Sequence, residues 1–401
     1  MEVDFALNLA STPRSTWTDG GLGKLRFDES DDGVGSSRLF AEYRGRIGRT
    51  LWGHVVLDYV PDGSPGLDVT EAYVDFKPLP SSRNKQQWRF GAFYPPLSLE
   101  NGGDGWSSPL TVSYSAVNTW LGEEIRPLGA QWSMRRRLGY AGSPHELGAF
   151  AGAFFGNDPA GTLLFWRGWS LHDRQSRLRD ELRLPPIALH DESGATVGHV
   201  EHRLEPFHEI DGKPGFYAGV RWQFARRAAA QVAYYDNRAD PHAFADRQWG
   251  WHTNFMHWSG QIRLPWRMGL VTQWLRGETD WIVGAMADGS LMPDSRLVSD
   301  ELDARFVLLT RPIRDSHAVS LRYDRFDYRR PGERPVLVPD TGDAWTIAYR
   351  YRSSPRLTLM LEWLEIESAR DLNGILFDAA RDARESVLQM RITLSAGGNE
   401  R

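Results

Sequence analysis

The 401-residue chain contains no cysteine, which excludes disulfide scaffolds, cysteine-ligated metal sites and thiol nucleophiles. It also lacks any run of about 18 apolar residues, so a transmembrane helix is excluded. With a net charge of −5, it has no basic excess of the kind that would predict a nucleic-acid partner. The mean hydropathy of −0.47 is polar, but a transmembrane β-barrel also averages polar because its apolar residues alternate with polar ones.

The beginning of the chain shows no basic region followed by an apolar core, which a secretory leader would have. Residues 2–10 already alternate between apolar and polar side chains, as in a β-strand. We therefore expect an exported protein whose sequence here is the mature chain with a start methionine added.

Strict period-two alternation is clearest in residues 343–363, where two runs flank the link 353–356. One face of this predicted hairpin is apolar and the other is polar or charged. The apolar face consists of Trp345, Ile347, Tyr349, Tyr351, Leu357, Leu359, Leu361 and Trp363. The opposite face includes Arg350, Arg352 and Glu362.

The same pattern predicts sixteen strands in the whole chain. They cover residues 2–10, 38–47, 51–60, 67–77, 87–97, 128–138, 147–156, 215–225, 228–238, 249–264, 267–278, 302–311, 317–328, 343–352, 357–363 and 385–394. Short turns alternate with longer loops, and the longest loops span 98–127 and 157–214. This alternation predicts an all-β fold over residues 1–401, a transmembrane antiparallel up-and-down β-barrel of about sixteen strands with inward-folding long loops.

The charge of the polar face indicates which side of the barrel meets lipid. That face carries too many arginines and carboxylates to be buried in a protein core, so we expect it to line a water-filled lumen. The apolar face is rich in Trp and Tyr near strand ends, which is typical of a bilayer interface. A β-propeller is the soluble alternative, but its repeat of about 40 residues is not visible in the sequence.

Two stretches resemble the phosphate-selective porin O/P family of outer-membrane channels. The first consists of three segments, Glu71 to Phe76, 88–93 and 95–100, and the second is 126–131. The resemblance implies a sixteen-stranded barrel, a homotrimer, and a loop at 98–127 that folds inward to constrict the pore. Because this loop is acidic and glycine-rich, the phosphate selectivity of the family is not implied for this chain.

Arginines on the predicted lumen face are the candidate selectivity residues, because an excess of positive charge attracts anions. Arg126, beside the constriction loop, is the first candidate. The others are Arg44, Arg46, Arg89, Arg135, Arg221, Arg263, Arg305, Arg322, Arg350 and Arg391. The alternative is that these arginines pair with acidic lumen residues and stiffen the wall.

The loop 157–214 is too long for a simple connection. It contains a predicted helix over 171–184, which would either cover the pore as a lid or lie on the extracellular rim. Seven of its side chains have the chemistry of metal ligands, although we interpret them as scattered solvated residues. They are His190, Asp191, His199, Glu201, His202, His208 and Glu209.

Together these observations predict a passive porin in the outer membrane of a Gram-negative bacterium. We expect small polar or anionic solutes to diffuse through it, with outer-membrane lipid and lipopolysaccharide around it. The sequence predicts no metal, no cofactor and no catalytic residue, since no serine lies in a recognisable nucleophile motif. The alternative function is a non-conducting barrel that its long loop plugs and that serves in docking or assembly.

Overall fold

A computed structural model describes residues 2–61, 66–79, 84–126, 128–139, 143–185, 203–285, 290–332, 340–376 and 379–396. Sixteen antiparallel strands form a closed barrel, in which the first strand pairs with the last. The strands are β1 (Glu2–Ser11), β2 (Gly33–Arg46), β3 (Leu51–Tyr59), β4 (Leu67–Phe76), β5 (Asn84–Ala92), β6 (Leu128–Arg137), β7 (His145–Phe155), β8 (Gly215–Phe224), β9 (Ala228–Asp236), β10 (His252–Arg263), β11 (Gly269–Ala285), β12 (Leu291–Arg314), β13 (His317–Arg329), β14 (Asp340–Ser354), β15 (Leu357–Arg370) and β16 (Asp382–Ser395). The predicted strand number and topology are confirmed.

Connections alternate between the two ends of the barrel as predicted. One end, the short-turn end, carries links such as 225–227 and 355–356, and the other, the long-loop end, carries 93–127 and 156–214. One predicted loop is largely wrong. Residues 279–285 and 291–301 instead extend β11 and β12, because the described side chains keep alternating between the two faces.

The outer surface of the barrel is apolar in its middle. On β15 the outward residues Leu357, Leu359, Leu361 and Trp363 alternate with inward residues that include the buried Glu362. Aromatic pairs lie across neighbouring strands, with ring centroids 4.8 Å apart for Trp258 and Trp274 and for Tyr323 and Trp345. The predicted orientation of the 343–363 hairpin, apolar side outward, is therefore confirmed.

Among the described residues, three α-helices lie in the loops: α1 (Ala116–Glu124), α2 (Thr162–Trp166) and α3 (Asp371–Leu376). The predicted helix over 171–184 is wrong, since this stretch is irregular apart from a short ribbon that pairs Leu182–Arg183 with Arg203–Leu204. Another two-residue ribbon pairs Phe244–Ala245 with Gln248–Trp249. Three 3-10 turns are at Trp17–Asp19, Glu29–Asp31 and Asp104–Trp106. No helix in the described ranges is long and apolar enough to cross a membrane.

We expect Leu361→Arg to destabilise the folded protein in lipid by about 2–4 kcal/mol, because the side chain points outward from the apolar middle of the outer surface, which we call the apolar belt. Gln261→Arg is the matched control, since Gln261 is exposed on the lumen face of β10. Denaturant unfolding of both variants in liposomes measures the difference. Equal stability of the two variants would contradict the assignment of the faces.

Candidate functional site in the barrel lumen

Two long loops fold inward and fill the middle of the lumen, together with buried residues of the loop after β1 such as Trp17 and Lys24. Lumen-facing side chains there are buried on strands all around the wall, as Phe40, Gln131, Tyr235 and Arg322 illustrate. The inner loops, as we call them, are 93–126 and 156–184, and most of their side chains are buried as well. The predicted inward fold of the 98–127 loop is therefore present, and part of 157–214 also lies inside the barrel.

The first inner loop is organised around α1. Ser115 begins the helix, because its hydroxyl accepts a hydrogen bond from the Asn118 amide. Before the helix, the rings of Tyr94 and Trp106 stack with centroids 4.0 Å apart. Arg126 closes the loop: its guanidinium lies over the Tyr94 ring and donates to the Tyr94 hydroxyl and to the Ser176 carbonyl. These contacts join the two inner loops.

Two wall residues fasten the first inner loop to the far side of the barrel. The Glu362 carboxylate accepts hydrogen bonds from the amides of Val112 (2.6 Å) and Ser113 (3.0 Å) and from the Ser113 hydroxyl (2.6 Å). Arg322 donates to Glu100 on the loop (2.8 Å) and to the Ser113 carbonyl (2.7 Å). Since both wall residues are fully buried, their charges depend on these partners.

The second inner loop is held by buried ion pairs. Asp173 contacts Arg26 at 2.7 Å and also pairs with Arg391 on β16. Arg167 forms an ion pair with Glu123 of α1. Gly168 lies so close to the wall that a Cβ would be 2.2 Å from an Asp340 oxygen, and its φ of 82° also favours glycine.

Burial and charge shift the pKa values of these loop carboxyls in opposite directions. Burial opposes ionisation of Glu123, but Arg167 and His172 outweigh it and lower its pKa to about 2. Burial raises the pKa of Glu124 to about 7, although hydrogen bonds from the Trp120 indole and from backbone amides oppose this rise. Two of these amides belong to Gly161 and Leu163 (both 3.2 Å), so Glu124 connects α1 to the beginning of α2.

Nine of the predicted selectivity arginines lie on the lumen face of a strand. They are Arg44, Arg46, Arg89, Arg135, Arg221, Arg263, Arg322, Arg350 and Arg391. Arg126 lies inside the barrel on the loop, where it is 1% exposed and faces protein rather than an open passage. Arg322 and Arg391 are also buried, and both contact the inner loops.

The prediction that Arg305 lines the lumen is wrong. On β12 the inward residues are Leu302, Ala304, Phe306 and Leu308, and Arg305 points outward. The physical reason is local, since Phe306 and Leu308 pack against partly buried leucines of the first inner loop. Here the lumen face is apolar because it meets protein, so apolar residues do not mark the lipid side.

Lumen-facing arginines that reach solvent cluster at the short-turn end. Arg44, Arg135 and Arg263 are exposed, and Arg221 and Arg350 are half-buried. Arg135 and Arg221 are on β6 and β8, and both are in register with Gly148 of β7, which has no side chain to separate them. Neither has an ion-pair partner among the described residues. We call this basic cavity the arginine vestibule.

Two further arginines belong to the arginine vestibule. Arg352 follows Arg350 by two residues on β14, and Arg137 follows Arg135 by two residues on β6, so each keeps the lumen side. Arg352 was visible from the alternation of its hairpin. The same period-two rule would have found Arg137, which stands in a run of three arginines.

Acidic residues gather at the edge of the second inner loop, where Asp158, Glu209 and Asp211 approach one another. Their carboxylates already accept backbone hydrogen bonds, for example from the amides of Gly156 and Gly212 to Glu209. The predicted metal-type residues at 190, 191, 199, 201 and 202 lie outside the described residues. His208 contacts Glu205 and Asp246 instead of joining the acidic group.

No known family model matches the chain, and no curated protein sequence matches it. Its structure is similar to that of the outer membrane channel DcaP of Acinetobacter baumannii, with a TM-score of 0.53, 11% identity, and coverage of 98% of this chain and 96% of that chain. It is also similar to the anion-selective porin from Comamonas acidovorans, with a TM-score of 0.51, 12% identity and 98% coverage of both chains. The protein thus shares the fold of these two proteins. Membership of the phosphate-selective porin O/P family stays a prediction.

The raised pKa of Glu124 makes the attachment of α1 depend on pH. Because the pKa rises from 4.5 to about 7 on folding, the stabilisation is fully present below pH 4.5 and is lost as the pH rises to about 7. We expect hydrogen-exchange protection of α1 to fall by at most about tenfold per pH unit in this window. Glu124→Gln should flatten this dependence, whereas Glu278→Gln on the outer face should preserve it. An unchanged pH profile in Glu124→Gln would contradict the assignment.

Proposed function

We propose that the protein is an outer-membrane diffusion channel for small hydrophilic solutes with a preference for anions. The observation that carries this proposal is the arginine vestibule inside a closed barrel with an apolar exterior. Arg135 and Arg221 face each other across Gly148, and neither forms an ion pair among the described residues. Glu146 is a lumen-facing carboxylate near Arg221, but the arginines outnumber it, so a passing anion meets an excess of positive charge. Similarity of fold to an anion-selective porin supports the same proposal.

In the conformation described, the two inner loops occupy the middle of the lumen. Both apolar and polar contacts hold them against the wall: Phe306 and Leu308 pack against leucines of the first inner loop, and the hydrogen bonds of Glu362 and Arg322 converge on residues 111–115. These hydrogen bonds can be exchanged for hydrogen bonds to water when the segment moves. We therefore propose that displacement of the first inner loop opens the passage between the long-loop end and the arginine vestibule.

The filled lumen favours a second candidate, a non-conducting barrel used for docking or assembly. Buried ion pairs that join the inner loops to the wall, such as Glu100–Arg322 (2.8 Å) and Asp173–Arg391, cost several kcal/mol if only one partner is withdrawn. In this second reading the loops form a permanent plug. Single-channel recording separates the two candidates, because a permanent plug gives no conductance steps.

Further parts of the proposal concern surroundings and assembly. We propose outer-membrane lipid and lipopolysaccharide around the apolar belt, a homotrimer as the assembled form, and transport without a cofactor or a catalytic step. The short-turn end faces the periplasm in this arrangement, as it does in bacterial outer-membrane barrels generally.

We expect the double variant Arg135→Ala/Arg221→Ala to lower the anion-to-cation permeability ratio about two- to threefold, because it removes two positive charges from the arginine vestibule. Reversal potentials in planar bilayers under a salt gradient measure this ratio. Arg136→Ala is the control, since Arg136 points outward between the two lumen-facing positions Arg135 and Arg137. An equal ratio in wild type and double variant would contradict the selectivity mechanism.

Glu362→Ala should raise the open probability of the channel severalfold, because it removes the acceptor of three hydrogen bonds from the first inner loop. The matched control is Glu365→Ala, which removes a carboxylate from the outer face of the same strand. Single-channel recordings of both variants give the comparison. Silence of wild type, Glu362→Ala and control alike would support the non-conducting barrel instead.

A further inference from the structure

An outward-facing charged cleft lies on the tall strands β11–β13, just beyond the aromatic girdle. We define this girdle by the ring pairs Trp258–Trp274 and Tyr323–Trp345. Along each strand toward the long-loop end, outward residues change from apolar to charged at this level, as from Val307 to Arg305. In outer-membrane barrels the girdle lies at the interface, so the residues beyond it meet lipid headgroups.

Positive charges in this cleft are placed against one another. Arg305 on β12 is in direct register with Arg325 on β13, and both are exposed on the same outer face. Like charges directly opposite each other destabilise a strand pair unless something compensates them. Arg276 lies nearby on β11, and none of these three arginines has an ion-pair partner among the described residues.

Three carboxylates also line the cleft. Glu301 pairs with Arg329 at 2.9 Å, and Asp303, which is in register with Arg276, accepts a hydrogen bond from the Trp274 indole at 3.0 Å. Asp327 lies 4.0 Å from Arg329, so two of the three carboxylates are nearest to Arg329 rather than to Arg305 or Arg325. The cleft has a volume of about 190 Å³, and its walls include all four arginines of this patch. Arg276, Arg305 and Arg325 are therefore available to bind an anion from outside the barrel.

We propose that this cleft binds a phosphate group of a phosphorylated glycolipid in the outer leaflet. Guanidinium groups bind phosphate oxygens through paired, charge-assisted hydrogen bonds, and several converging arginines suit a phosphate better than a single carboxylate. Because the cleft faces away from the lumen and lies at headgroup level, the phosphate belongs to a lipid rather than to a solute in transit. A bound phosphate also compensates the opposed Arg305 and Arg325.

Native mass spectrometry of the full chain in detergent micelles tests the proposal, with bis-phosphorylated lipid A as the probe. We expect Arg305→Ala/Arg325→Ala to lower the bound fraction about tenfold relative to wild type. The control Arg136→Ala/Arg311→Ala removes two outward arginines near the short-turn end and should bind like wild type. Lipid A stripped of its phosphates should bind wild type about as weakly as the bis-phosphorylated form binds the double variant.

Several results would overturn the proposal. Three outcomes would each show that Arg305 and Arg325 do not bind a lipid phosphate. They are undiminished binding by the double variant, an equal loss of binding in the control, and equal binding of the dephosphorylated lipid. Displacement by inorganic phosphate at the same concentration as the lipid would assign the cleft to free anions. A changed oligomer mass in Arg305→Ala/Arg325→Ala would assign the cleft to contact with a second copy. Heat-modified gel mobility confirms that each variant is folded, and native conductance is not needed for any of these readouts.

Discussion

Charge compensation inside a closed barrel is the constraint on which the rest of this structure depends. The inner loops carry ionised residues into a lumen that they themselves fill, where an unpaired charge costs several kcal/mol. Asp173 therefore lies between Arg26 and Arg391, and Arg322 between Glu100 and Asp324. Each such set joins a loop to the wall, so the same ion pairs position the loops and neutralise the buried charges.

Arginine consequently has two roles, one in the middle of the barrel and one at the short-turn end. In the middle of the barrel, arginines such as Arg322 are buried and donate hydrogen bonds to loop residues, so they hold the inner loops against the wall. At the short-turn end, Arg135 remains exposed to water, which solvates its charge without a carboxylate partner. In the proposed channel, loop attachment and anion preference are thus separable, because no residue of the arginine vestibule has to break a buried ion pair to attract an anion.

Alternation predicted the strands well, since side-chain direction in a strand repeats every two residues wherever the strand lies. Alternation predicted the wrong side where the lumen face of a strand contacts protein instead of water. On β12 the loop leucines turn the lumen side apolar, so the rule that charged residues point inward misplaced Arg305. Helix α1 was missed because its residues contact protein on every side and show no amphipathic period, although Ser115 marks its start. The charge-rich stretch 171–184 suggested a helix, but its charges pair with the wall, with the loop after β1 and with one another, as Asp173–Arg391, Asp173–Arg26 and Arg174–Asp180 show.

The sequence by itself determined the number of strands, their antiparallel order and the lipid-facing side of most of them, because these depend on a local period and on turn spacing. Only the tertiary structure decided that 156–184 enters the lumen beside 93–126. It alone decided which arginines are paired and which meet water or the outer surface. Those outcomes depend on contacts between residues far apart in sequence, such as Glu362 with Ser113, for which no local pattern carries a signal.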